Sequence, residues 1–184
     1  DAELFASTGG LDTGFGYGTA HEDYESGLRL LKANVPFAVA ADAIGYHYEH
    51  ETHNLDRSFR RARAEGRSDV LLGQRHPELI PTLHVGDYET PYSLIDKILV
   101  ALVFSWPAAV DLLAAGLRRS LNLLEAMGMR GTWRWLRTKL LGYSYFRGVV
   151  DELKTRSNIS SFIQESPIRA DLSGYEIEID LQQG

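Results

Sequence analysis

Apolar and polar positions follow a helical spacing over much of this chain. Between about Glu22 and Ala33, Tyr24, Leu28 and Leu31 recur at steps of four and three, while Glu25, Arg29 and Lys32 share another face. That spacing predicts an amphipathic helix, stopped by Asn34 and Pro36. Phe37 to Ala40 and Ala43 to Tyr48 are short apolar runs on either side of Asp42 and predict one or two strands. Asn54 to Glu65 predicts a second helix, ended by Gly66. Pro77, Pro81 and Pro91 punctuate a loop-rich middle. Beyond Tyr92 the pattern turns strongly helical, with segments predicted over Leu94–Ser105, Ala108–Met127, Trp133–Leu141 and Tyr145–Lys154. The alternation from Tyr175 to Leu181 predicts a strand that needs a sheet partner.

These elements predict an α/β fold in residues 1–88, a helical appendage over 89–160, and an extended tail or the start of a further domain over 161–184. Ile98 to Leu117 is long and apolar enough to raise the question of a membrane span. Pro107 breaks that run and Asp111 sits inside it, so two helices packed on the α/β part are expected. Trp133, Arg134 and Trp135, followed by Arg137 and Lys139, offer a second reading: an amphipathic surface in peripheral contact with lipid.

Composition narrows the classes. A chain of 184 residues is long enough for one ordinary domain with its own core. A formal charge of −6 argues against a general nucleic-acid binder, which needs a basic surface. There is no cysteine, which excludes disulfides, thiolate metal sites and a thiol nucleophile. Asp1-Ala2-Glu3 is not the basic start of a secretory leader, and a cytoplasmic location, at the inner face of a membrane if lipid is touched, is the expectation.

Candidate chemistry concentrates in three pieces: Gly9-Gly-Leu-Asp-Thr-Gly-Phe15, His21-Glu-Asp-Tyr-Glu-Ser-Gly-Leu-Arg-Leu30, and Ala41-Asp-Ala-Ile-Gly-Tyr-His47. Paired glycines let a backbone come close to a ligand. Glu22 and Asp23 at a helix start are held as anions by free N–H groups and the helix dipole. An ionised carboxylate in a pocket can take the proton of an attacking hydroxyl. His47, after an apolar run, can offer a neutral nitrogen to a divalent metal. Taken singly, each also reads as a turn, a cap or a structural histidine.

In this order and spacing, the three pieces resemble family 2 glycosyltransferases of the GT-A fold, over roughly residues 5 to 60. The resemblance implies the C-terminal part of a GT-A nucleotide-sugar transferase domain and transfer, with inversion, to a carbohydrate or lipid-linked acceptor. It implies Asp23 as general base. It places Gly9 and Gly10 beside donor and acceptor, Glu22 and Glu25 around the acceptor pocket, and His47 at the metal or diphosphate. Asp12 and Arg29 match recurrent positions of donor or acceptor binding that read as readily as structural. The family's nucleotide-binding half and its Asp-x-Asp motif have no counterpart here. The expectation is therefore a fragment that is inactive alone, with Mg²⁺ or Mn²⁺ held mainly by that other half.

Three other readings compete. His47 to His53 packs three histidines and two glutamates into seven residues, which suggests a metallohydrolase. However, His50 and His53 are one residue too close for the helical His-Glu-x-x-His motif. A non-catalytic docking or membrane-surface module would use the helical half and the arginines at 57, 60, 61, 63 and 67 to meet phosphates. A glycosidase would need two carboxylates flanking one bond, and Asp23 and Glu25, two apart on a helix, do not face each other.

Overall fold

A computed structural model describes residues 2–12, 14, 21–38, 43–46, 54–89, 93–154 and 156–164. Its helices are α1 (Ala2–Ser7), α2 (Glu22–Lys32), α3 (Leu55–Arg75), α4 (Leu94–Ser105), α5 (Pro107–Ala126), α6 (Arg130–Leu153) and α7 (Arg156–Gln164). Two 3₁₀ segments, Pro77–Thr82 and His84–Glu89, lie between α3 and α4.

The expected α/β domain is not found: among the described residues there is no strand. Of the two runs predicted as strands, residues 37–38 and 43–46 are described, and there the backbone has no regular structure. Their apolar side chains face outward, with Ile44 77% and Tyr46 93% exposed. Apolar content alone does not make a strand, because its N–H and C=O groups need a second strand to pair with. No such partner exists among the described residues, so this part of the chain is helical rather than a GT-A sheet.

Local chemistry accounts for the helix ends. The Asn54 side chain accepts from the N–H groups of Asp56 (2.9 Å) and Arg57 (3.3 Å) and starts α3. Ser93 caps α4 by accepting from Asp96 N at 3.2 Å. Lys139 of α6 grips the same Asp96 carboxylate at 2.7 Å. Pro107, at the first position of α5, divides the long apolar run into two helices. No helix among the described residues is long and apolar enough to cross a membrane. Gly128, at φ +69°, turns the chain from α5 into α6.

Two predicted boundaries shift. Gly66 does not end α3, which runs on to Arg75, and the two segments predicted over Trp133–Lys154 are one helix, α6. A Cβ at Gly66 would collide with the carbonyl oxygen of Tyr145, and a Cβ at Gly148 would collide with that of Arg63. Each glycine therefore sits where the backbone of the other helix comes closest, and both are there for helix packing. α6 also packs on α4, α5 and α7. Its contacts build two apolar clusters. One holds Val70, Ile80, Val100, Tyr145, Val149 and Phe162. The other holds Phe59, Val103, Val110, Leu121, Leu140 and Val150. Fully burying a side chain such as Leu121 or Phe59 stabilises by about 1.5–3 kcal/mol.

Candidate functional site

Helix α2 meets the end of α3 through charge rather than apolar packing. His21, Glu25, Arg29 and Lys32 lie on one stripe of α2 and make most of its long-range polar contacts. His21 Nε2 is 2.7 Å from Asp69 Oδ1. Glu25, only 3% exposed, accepts from Arg29 Nε at 2.9 Å with both carboxylate oxygens and lies 3.4 Å from His76 Nε2. Lys32 Nζ reaches His76 Nδ1 at 3.0 Å and pairs with Glu78. Burial works against the charge on Glu78, but the Lys32 hydrogen bond and charge, its own backbone N–H and His76 together outweigh it and hold the carboxyl below its ordinary range.

The paired glycines belong to the same assembly. Arg29, bound to Glu25, donates from its two terminal nitrogens to the carbonyls of Thr8 and Gly10. Gly9 and Gly10 have φ of +91° and +62°. A Cβ on Gly9 would stand 2.8 Å from Arg29 Nη1. The close approach that the glycines permit is thus made by the chain's own guanidinium. Asp12, next in the loop, accepts from Gly14 N at 2.7 Å and pairs with Arg75 at 2.6 Å. Glu25, Arg29 and Asp12 are thereby engaged in holding α1 and its loop against α2 and α3.

Glu22 and Asp23 are placed differently. Asp23 is exposed in the first turn of α2, where a carboxylate meets the positive helix end. Its Oδ1 accepts from the adjacent Tyr24 N–H at 2.9 Å, and among the described residues it forms no ion pair. The expected enclosing cleft is not formed around it by the described residues. Glu22 is half-buried, and its Oε2 is buried without a hydrogen-bond donor among them. Tyr24, beside them, is 70% exposed. His47 and the cluster from His47 to His53 lie outside the described residues. Among those described, no three His, Asp or Glu side chains are grouped as metal ligands.

A buried chain of polar groups went unpredicted. Asp69, 3% exposed, lies between His21 and the hydroxyl of Tyr145, which donates to it. The hydrogen bond to Asp69 raises the His21 pKa against the opposing effect of burial. Burial, with the Asp69 charge beside it, pushes the Tyr145 phenol far up. The signal that could have revealed it was the spacing of His21, Glu25, Arg29 and Lys32, a polar stripe too regular for a solvated face.

The chain matches no known family model, no curated protein and no solved structure.

Proposed function

We propose that this chain carries acceptor-side machinery of a nucleotide-sugar glycosyltransferase, with Asp23 as general base. One observation carries the reading. Arg29, two turns along α2, fastens the Gly9-Gly10 loop to the helix whose first turn presents an exposed Asp23 with no ion pair among the described residues. Two of the three motifs that carry the resemblance are thereby physically joined. The side chains that do the joining, Glu25 and Arg29, are distinct from the one left available.

In the proposed reaction an acceptor hydroxyl approaches Asp23, whose carboxylate takes the proton as the oxygen attacks the anomeric carbon. The new C–O bond forms as the bond to the nucleoside diphosphate breaks, the electron pair leaves on the diphosphate, and configuration inverts. A nucleotide-sugar and a carbohydrate or lipid-linked alcohol are the substrates. Glu22, beside Asp23 in the first turn of α2, would shape the acceptor pocket.

Sugar transfer from a panel of nucleotide-sugars, assayed with the product of the full reading frame, tests this. Asp23→Asn should lower turnover by about 10²–10⁴ while donor affinity stays near wild type. Equal turnover in the two proteins removes Asp23 from the role.

A second reading, a membrane-surface module, is favoured by apolar side chains on and between α4 and α5 that stay exposed: Leu94, Ile98, Trp106 and Leu112 are each half exposed or more. A protein that binds neutral phosphatidylcholine vesicles and shows no transfer with any donor supports that reading instead.

A further inference from the structure

A cavity of about 160 Å³ opens where α3, α5 and α6 meet, away from the stripe on α2. Its lining is Arg63, Asp111, Arg118, Tyr143, Ser144 and Arg147. A water needs only about 15 Å³ of such space, so a tetrahedral anion fits with room for solvent.

The charges around it do not balance. Arg63, Arg67 and Arg147 converge on Asp151, at 2.7, 2.6 and 2.6 Å. Arg147 also reaches Asp111 at 3.3 Å, and Tyr143 donates its hydroxyl to Asp111. Both aspartates are therefore already engaged. Arg118 forms no ion pair among the described residues. Four arginines stand against two aspartates, an excess of two positive charges in a chain whose net charge is −6.

Arg118 is also short of acceptors. Its Nη2 donates to Ser144 Oγ at 3.2 Å, and its guanidinium lies 4.5 Å over the Phe59 ring. Its Nε is buried with no partner among the described residues. A guanidinium carries five N–H donors in a planar fork, and leaving the buried one unmade is costly. An oxyanion with several acceptor oxygens is the ligand whose geometry matches that fork.

We propose that this cavity binds a phosphoryl group, carried by a soluble phosphate ester or by a lipid headgroup, with Arg118 as its principal ligand. The site stands independently of the sugar-transfer reading.

The whole chain is titrated with inorganic phosphate and pyrophosphate by calorimetry, and sedimented with phosphatidylcholine vesicles with and without phosphatidic acid. Saturable binding is expected, weaker by about tenfold to a hundredfold in Arg118→Gln, the worth of one charge-assisted contact. The exposed neighbour Arg119, changed to Gln, should leave it unchanged. Binding of the soluble anions assigns the cavity to phosphate esters; binding only of phosphatidic acid vesicles assigns it to a lipid headgroup. Phosphate should also shield Arg118 of the unmutated protein from phenylglyoxal, a readout that does not depend on any variant folding. The proposal is overturned by no binding of any probe, by equal affinity in Arg118→Gln, by an equal loss in Arg119→Gln, or by Arg118 staying reactive at high phosphate.

Discussion

His21 carries two costs that its side chain offsets. It stands before α2 with φ +79°, a left-handed conformation that non-glycine residues adopt at a cost of about 1 kcal/mol, and it makes no capping bond of its own. Its Nε2 bond to Asp69 holds it there, strengthened when the imidazole is charged, with Glu65 and Asp23 adding smaller attractions. Because the folded pKa is raised above 6.5, this contribution is fully present below that value and is lost as pH rises through the folded pKa. Urea unfolding should therefore show His21→Gln destabilised by about 1–2 kcal/mol near pH 6, with the gap narrowing as pH rises above 6.5 and through the folded value. A gap that stays constant across that range would rule out imidazole charge as its source. Arg29 offers a second test, because its planar fork binds Glu25 and two loop carbonyls together. Arg29→Lys keeps the charge but loses the fork. The amides of Gly9 and Gly10, which bond to Ala6 and Phe5 carbonyls, should then exchange roughly tenfold faster. Unchanged exchange would mean that the loop holds itself. The site was partly legible in the sequence at this scale. Gly9, Gly10, Asp12, Glu25 and Arg29 do come together, yet the same motif residues serve as anchors, and only their partners Thr8, Arg75 and His76 reveal that.

At the scale of elements, periodicity located α2 to α6, missed α1 and α7, and misjudged some ends. The predicted bounds of α4 coincide with the observed ones, because Ser93 caps it and Trp106-Pro107 ends it, both local signals. α3 ran past its predicted end because Gly66 was read as a stop, when its lack of a side chain is what the crossing with α6 requires; the break expected in α6 between Leu141 and Tyr145 is not made, and Gly142 there meets nothing within 4 Å. The strands failed because pairing is non-local, and an apolar run such as Phe37–Ala38 carries no record of a partner. The crossing itself gives a prediction of opposite signs within one helix. Gly148→Ala and Gly66→Ala should each destabilise by about 1–3 kcal/mol, since the added methyl meets backbone that cannot rotate away. Gly142→Ala, also in α6, meets nothing within 4 Å and should stabilise by about 0.5–1 kcal/mol through helix propensity and chain entropy. Denaturation midpoints that move in the same direction for Gly142→Ala and Gly148→Ala would contradict the close crossing.

For the molecule as a whole, the two apolar clusters fix α6 among its neighbours, while carboxylates gripped by basic groups tie distant parts of the chain together. Lys32 holds Glu78 beside α2, Lys139 joins α6 to Asp96 at the start of α4, and Asp151 of α6 gathers Arg63 and Arg67 of α3. In Asp151 burial opposes ionisation, but the hydrogen bonds from Arg63 and Arg67 outweigh it and hold its carboxyl below the ordinary 3.8. Asp96 is lowered likewise, by Lys139 and Ser93 against its burial. A depressed pKa means stability that is present above the ordinary carboxylate range and lost as pH falls through the folded value. The protein should thus keep this contribution down to the ordinary carboxylate range and lose stability below it, while the His21 contribution fades at the alkaline side. Asp151→Asn separates this frame from the apolar core. Near neutral pH it should cost about 1–3 kcal/mol, discounted because Arg63 and Arg67 are 40% and 43% exposed and screened by solvent. As pH falls through the folded value the wild type loses the same interaction by protonation, so the two unfolding curves should converge. Curves that stay parallel through that range would show that Asp151 acts by packing rather than by charge, and that the apolar contacts of α3 with α6 alone hold the halves of the chain together.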